Sequence, residues 1–292
     1  MSDGNDIYAI DKKRVRQAFG RAAAGYERSA VLQHEVLQRM MSRLDLVALK
    51  PQAILDAGCG TGLGGRSLAK HYKKTRITSL DFAPPMLQQV RSQQSWLSKV
   101  LNPQMLVCGD IEAMPIQNAS QDLVWSNLAL QWCNDLDGAF SEMHRVLRPE
   151  GLLMFSTFGP DTLKELRQSA SVDGRTHVSR FIDMHDIGDA LIRAGFSAPV
   201  MDVEYFTLTY ESAIAVMRDL KAIGAHNATQ GRPHGLQGRA FLQSLSAQYE
   251  RFRQTDGKLP ATYEVVYGHA WKPQPKTILP DGAQPIKFRQ RP

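Results

Sequence analysis

The chain has 292 residues, 43% hydrophobic and 22% charged, which is ordinary for a globular protein and ample to bury a core. A net charge of +6, no apolar run of about 18 residues and an N-terminus (MSDGNDIYAIDKK) with no hydrophobic stretch after its charges argue against a membrane span or signal peptide, and predict a cytoplasmic protein. Three scattered cysteines (Cys59, Cys108, Cys133), dispersed histidines and the lack of H-E-x-x-H, G-x-S-x-G and G-x-x-x-x-G-K-[ST] patterns weigh against disulfides, a metal site, a serine hydrolase and a phosphate-cradling loop.

The first ten residues are expected to be flexible. Residues 11–49 predict helix, with Val15, Ala18, Phe19, Ala22 and Ala23 recurring at three- and four-residue spacing. Strands and helices then alternate. AILDAG is a strand, GGRSLAKHY a helix, RITSLDF a strand, and PPMLQQVRSQQSWL a helix opening on prolines, which its first turn tolerates. MLVCGD and DLVWSNLALQW are strands, LDGAFSEMHRVL a helix stopped by Arg148-Pro149-Glu150-Gly151, and GLLMFSTFG a strand. Short, continuously apolar strands between helices suit a mostly parallel α/β sheet covered on both faces, a doubly wound arrangement. Beyond residue 160 come helices at DTLKELRQ, HDIGDALIRAGF, ESAIAVMRDLKAIGA and FLQSLSAQYERF, with strands at 200–208 and 263–271. One domain over 11–272 accounts for this pattern, with an N-terminal helical cap, substrate-side elements over about 160–260 and an insertion before the last strand. The Pro-rich, basic residues 273–292 read as a disordered tail.

The stretch ILDAGCGTGLGG places five glycines in the eight positions 58–65 directly after a strand. Glycine is costly to order, so such a cluster implies close approach of backbone to a ligand. In open α/β sheets that ligand lies beyond the carboxyl ends of the strands. Gly60, Gly62 and Gly65 satisfy G-x-G-x-x-G, with Asp81 near the interval of a ribose-binding acid, which leaves NAD open. The alternative register, Asp56, Gly58, Gly60 and Gly62, resembles motif I of the class I S-adenosylmethionine-dependent methyltransferases. The other strand ends follow that resemblance. It implies that Asp81 accepts the ribose hydroxyls, that Asp110 meets the adenine amino group with Ile111 beside the ring, and that Asn127 lines the methionine end.

Outside the cofactor loop, AFGRAAAGYERSAVLQ, SNLALQWC, LLMFSTFGPDTLKELRQ, RFIDMHDI, MRDLKAIGAHN and LPATYEVVYG run in order from about residue 12 to 271. Together they closely resemble the malonyl-acyl-carrier-protein O-methyltransferase family of biotin synthesis. The resemblance implies a seven-stranded class I methyltransferase fold and S-adenosylmethionine as cofactor. It also implies an acidic acyl carrier protein as partner, its malonyl group methylated on the free carboxylate. The product, a methyl ester, enters fatty-acid synthesis toward the pimeloyl part of biotin. That carboxylate is ionised at neutral pH, so catalysis needs positioning rather than a general base. Tyr26 is expected over the cofactor, Gln131 and Trp132 at the mouth of the site, and Arg180 as a clamp on the malonyl carboxylate. Lys12, Lys13, Arg14 and Arg16 are candidates for carrier-protein docking, with Arg218 and Lys221 as the alternative face. Rival readings are a methyltransferase for another small acceptor, a non-catalytic cofactor-binding scaffold, and a nucleic-acid-binding protein. The basic stretches lack the interleaved aromatics that nucleic-acid binding calls for, so neither nucleic acid nor membrane is expected as a partner.

Overall fold

In the computed structural model, residues 8–94, 104–170, 179, 181–225, 227–231 and 238–275 are described. The proposed clamp Arg180, most of the tail and residues 1–7 lie outside them. Strands β1 (Ala53–Ala57), β2 (Arg76–Asp81), β3 (Met105–Cys108), β4 (Gln121–Asn127), β5 (Leu147–Phe158), β6 (Ser197–Tyr210) and β7 (Leu259–Trp271) form one sheet. Their order is β3-β2-β1-β4-β5-β7-β6. β1 to β5 pair parallel with their neighbours, and β7 runs antiparallel between β5 and β6. The order reverses between β1 and β4, so the loops leaving these strands diverge and open a crevice at their carboxyl ends.

The helical region near the N-terminus divides into α1 (Lys12–Ala22), α2 (Tyr26–Ser29) and α3 (Val31–Leu44). Asp11 caps α1 by accepting from the Arg14 N–H. After the strands come α4 (Leu63–His71), α5 (Pro84–Gln93), α6 (Leu136–Val146), α7 (Lys164–Ala170), α8 (Met184–Arg193), α9 (Ala213–Ala222) and α10 (Arg239–Tyr249). α9 is capped by Ser212, whose hydroxyl accepts from the Ala215 N–H. Successive strand residues face opposite sides of the sheet, and the core divides accordingly. Ile54, Leu123 and Trp125 pack beneath α3, α7, α9 and α10, whereas Leu55, Val124 and Phe155 pack beneath α6 and α8. Fully burying one such aliphatic side chain is worth about 1.5–3 kcal/mol, so both layers stabilise the sheet strongly.

Two local expectations fail for identifiable reasons. DLVWSNLALQW is not one strand: β4 stops at Asn127, Leu128 takes φ 49°, and Leu130–Trp132 is a short 3-10 turn. Its apolar character continues because the turn is itself covered. Arg148-Pro149-Glu150-Gly151 is not an interruption between α6 and the next strand. These residues are the start of β5, held where the Glu150 N–H donates to the Lys272 carbonyl at 2.8 Å. At the other end of the domain, a backbone clasp joins the N-terminus to the segment after α9. Ile10 bridges Thr229, the Asp11 N–H donates to the Ala228 carbonyl at 2.8 Å, and the Gln230 N–H donates to the Ala9 carbonyl at 2.9 Å.

Candidate active site

The loop after β1 bends through three glycines in left-handed conformation, Gly58 (φ 78°), Gly60 (φ 53°) and Gly62 (φ 83°). A Cβ on Gly58 would lie 2.3 Å from the Ala129 Cβ, and one on Gly62 would lie 2.9 Å from Val90. These two glycines let the loop pack against its neighbours. A Cβ on Gly60 would meet nothing within 4 Å, and the residue borders a cavity of about 490 Å³ at the strand ends.

Asp81 ends β2 and braces this loop. Its Oδ2 accepts from the Gly60 N–H at 2.9 Å and its Oδ1 from the Ala83 N–H at 2.8 Å. Burial pushes its carboxyl up to about 6, while the two backbone donors pull the other way. Each oxygen retains a lone pair for a further donor from the cavity, which Asp81 lines. Asp56 has a different place. It is 2% exposed and lies beneath the loop at the start of α4, where a Cβ on Gly65 would lie 3.3 Å from its Oδ2. Burial first, and the Asp81 charge second among the raising causes, push its carboxyl up to about 7. Asp56 and Gly62 shape the loop without bordering the cavity.

Further along the strand ends, Asp110, Ile111 and Asn127 all border the same space. The Lys12 ammonium donates to both Asp110 oxygens, at 2.9 and 2.8 Å, and pairs with Glu112 at 2.8 Å. Lys12 is thus drawn in from the nominated docking face to tie α1 onto the third strand end. Asn127 is fixed by its neighbours: the Ser156 hydroxyl donates to its Oδ1 at 2.8 Å, and its Nδ2 donates to the Gln33 carbonyl at 3.3 Å.

An aromatic cluster roofs this polar floor. Phe19 of α1 meets Trp132 edge-on at 5.2 Å between ring centroids, with Tyr26 and Phe82 each at 6.4 Å. Burial and then the Asp81 charge raise the Tyr26 phenol, so it stays protonated. Gln131 is held by a bond from its Nε2 to the Leu128 carbonyl at 2.6 Å and one from the Thr157 hydroxyl at 3.3 Å. Away from the strand ends the cavity becomes apolar, walled by Phe158, Leu163, Leu166, Leu208, Met217 and Leu245. Asp219 and Tyr263 are among the polar groups set into that wall, and the Tyr210 hydroxyl donates to Asp219 Oδ2 at 2.7 Å.

The two helices that carry the candidate docking residues pack together. Gly224, just past α9, packs so closely on α1 that a Cβ there would lie 3.1 Å from Phe19 and 3.3 Å from the Ala18 backbone. Arg14 and Lys221 both border the cavity, while Lys13, Arg16 and Arg218 are exposed on the same helices. Sequence reasoning passed over Phe19 as an ordinary helix residue and missed Gln33, Asp219 and Tyr263. Gln33 had one weak signal, a polar residue on the buried side of α3 beside Leu32, Val36 and Leu37. Among the described residues no cluster of His, Cys, Asp or Glu is placed to hold a metal ion, and no helix is long and apolar enough to cross a membrane.

The residues present suit a nucleoside cofactor with an amino-acid end. Gly60 borders the cavity with no side chain near its Cα face, two carboxylates stand at successive strand ends, and Gln33, which also borders the cavity, has a buried Oε1 with no hydrogen-bond partner. Residues 55–155 match a family model described as a methyltransferase domain. The chain is 61% identical over 290 residues to a malonyl-[acyl-carrier protein] O-methyltransferase of Methylovorus sp., covering 98% of this chain and 97% of that one. It is 59% identical to the protein of the same name in Gallionella capsiferriformans, over 96% and 97% of the two chains. The solved YcgJ protein of Bacillus subtilis shares the fold at a TM-score of 0.59 and 13% identity, covering 83% of this chain and 100% of that one. A putative methyltransferase of Bacillus halodurans does so at 0.58 and 19%, over 82% and 99%. With the fold, the glycine loop and full-length identity in agreement, the chain belongs to the malonyl-[acyl-carrier protein] O-methyltransferases, within the class I S-adenosylmethionine-dependent methyltransferases.

Proposed function

We propose that this protein methylates the free carboxylate of a malonyl thioester on acyl carrier protein, using S-adenosylmethionine. The observation that carries the reading is one continuous cavity, running from the glycine loop and strand-end carboxylates into an apolar chamber. S-adenosylmethionine supplies an electrophilic methyl group on a sulfonium, whose sulfur leaves as a neutral thioether when the carboxylate oxygen takes the methyl.

The chain's residues divide the work of holding. Asp81 takes the ribose hydroxyls, with its carboxylate already oriented by two backbone donors. Asp110 takes the adenine amino group and Ile111 packs beside the ring. Gly58 and Gly60 bring backbone to the cofactor, Asp56 and Gly62 keep the loop in shape, and Asn127 borders the methionine end. Tyr26 covers the cofactor with the other rings around Phe19, while Gln131 and Trp132 line the passage toward the acceptor. A malonyl carboxylate is ionised at neutral pH, its pKa lying near ~4. The side chains therefore have no proton to remove. Holding the two centres in line and keeping water out of the apolar chamber are the contributions left to the protein, and alignment alone is worth several kcal/mol, about 7 or more in favourable cases.

The acidic carrier protein docks at the opening where Arg14 and Lys221 border the cavity, steered by Lys13, Arg16 and Arg218 outside it. Arg180 is retained as the clamp on the malonyl carboxylate. Esterification removes a charge that apolar fatty-acid synthesis sites could bury only at great cost. The test is intact-mass spectrometry after mixing the protein with S-adenosylmethionine and either malonyl- or acetyl-acyl carrier protein. A methyl gain confined to the malonyl species is the expected result; none on either species, with cofactor binding intact, sends the reading to another acceptor.

A further inference from the structure

The Gln33 side chain is a polar group of the cavity for which the reading above has no use and whose acceptor is unpaired. Gln33 lies in the first turn of α3, and its Oε1 is buried without a hydrogen-bond partner. Leaving a buried acceptor unpaired costs stability that a leucine at this position would not. Its backbone is not free to drift, because the Asn127 carboxamide donates to the Gln33 carbonyl at 3.3 Å while the Ser156 hydroxyl holds Asn127 from the other side. Gln33 is thus held beside the end of β4 and borders the cavity, and the orphan oxygen belongs to this side chain.

An orphan acceptor calls for a donor. The ionised malonyl carboxylate and its thioester offer none, and the amides of the carrier arm trail behind the thioester, away from the strand ends. The donors of S-adenosylmethionine are its adenine amino group, its ribose hydroxyls and its ammonium. The first two belong with Asp110 and Asp81, three and two strand ends away across the sheet. We propose that the Gln33 carboxamide oxygen receives the ammonium at the amino-acid end of the cofactor. This inference rests on the methyltransferase reading and adds to it a binding residue outside the glycine loop. It also gives α3 a direct part in cofactor affinity: a ligand with the amino-acid end joins the helical cap to the sheet, and a ligand without it does not.

The test compares two ligands by calorimetry, S-adenosylhomocysteine and 5′-methylthioadenosine, which lacks the amino-acid end. Gln33→Leu is expected to weaken S-adenosylhomocysteine about ten-fold or more, as loss of a hydrogen bond to a charged group does, and to leave methylthioadenosine unchanged. Unchanged methylthioadenosine binding also reports that the variant is folded. Gln33→Glu keeps an acceptor oxygen and adds a negative charge, so it is expected to bind S-adenosylhomocysteine at least as tightly as the unaltered protein. Equal loss for both ligands, no loss for either, or a Gln33→Glu variant as weak as Gln33→Leu overturns the proposal. The last outcome would mean that the carboxamide donates to a carboxylate instead. Failure of the unaltered protein to bind either ligand would overturn the methyltransferase reading itself.

Discussion

The side of the cavity facing β1, β2 and β4 is made of backbone and short polar side chains, whereas the side facing α7, α9 and α10 is made of packed apolar ones. On the first side, directional bonds fix each group: Asp81 to Gly60 and Ala83, Asn127 to Ser156 and Gln33. On the second, Leu166, Leu245 and Met217 are held by burial and close contact with the rest of the core. Hydrogen bonds specify angle as well as distance, while apolar packing specifies shape and excludes water. A cofactor with several polar groups needs the former, and a methyl transfer that suffers from hydration needs the latter. The comparison teaches that the two sides should fail differently when altered.

The largest effect is expected from Asp81→Ala. It strands the Gly60 and Ala83 N–H groups and removes the carboxylate proposed to take the ribose, so two charge-assisted bonds to backbone vanish with those proposed to the ligand. S-adenosylhomocysteine affinity should fall by about 100-fold, read by calorimetry. An unchanged dissociation constant would break the polar half of the comparison. Leu166→Ala addresses the other half. It is expected to lower stability by about 2 kcal/mol, the low end for a large-to-small core change because the residue already borders a cavity. Thermal unfolding reads that loss, and kinetics should show a several-fold higher KM for the malonyl thioester with an unaltered dissociation constant for S-adenosylhomocysteine. A matching loss of cofactor affinity would mean the halves are not separable.

The smallest effect sharpens the comparison through pH. Burial, opposed by two backbone donors, places the Asp81 carboxyl at about 6. A ligand that donates to the carboxylate binds its ionised form, and so lowers that value and releases a proton. S-adenosylhomocysteine affinity should be flat above about pH 7 and fall as pH drops through 6, by at most ten-fold per unit for a single group. In the free protein the sign is opposite. Asp56 and Asp81 both hold protons in the folded state that the unfolded chain has released, so their contribution to stability declines as pH rises from about 4 to 7. An affinity that rises on acidification would remove Asp81 from the ribose.

The same division explains what could be read from the sequence. Parallel strands flanked by crossover helices put their carboxyl ends on one edge whatever the side chains, so Gly58, Asp81, Asp110 and Asn127 fall around one space once their strands are recognised. No comparable rule links Leu166 to Met217 or Gln33 to Asn127. Their neighbours come from elements far apart in the chain and are decided by packing. Lys12 shows the limit from the other direction: its place in a basic stretch suggested an outward charge, but Asp110 and Glu112 lie within its reach and claim it. Leu128 shows a third kind. Nothing in an apolar run announces that one residue will adopt φ 49° and turn the chain out of the sheet, because the partner that receives the turn, Ser156, is on another strand.

The clasp between residues 9–11 and 228–230 sets the timing of this site in the cell. As the chain leaves the ribosome, α1 emerges before the glycine loop and its strands, which follow in sequence order. The segment that anchors α1 over them is made after both, and β7, which fills the gap between β5 and β6, comes later still. A nascent chain stopped before residue 228 therefore carries the polar floor without a fastened roof, and one stopped before 259 also lacks the strand that joins the apolar chamber to the sheet.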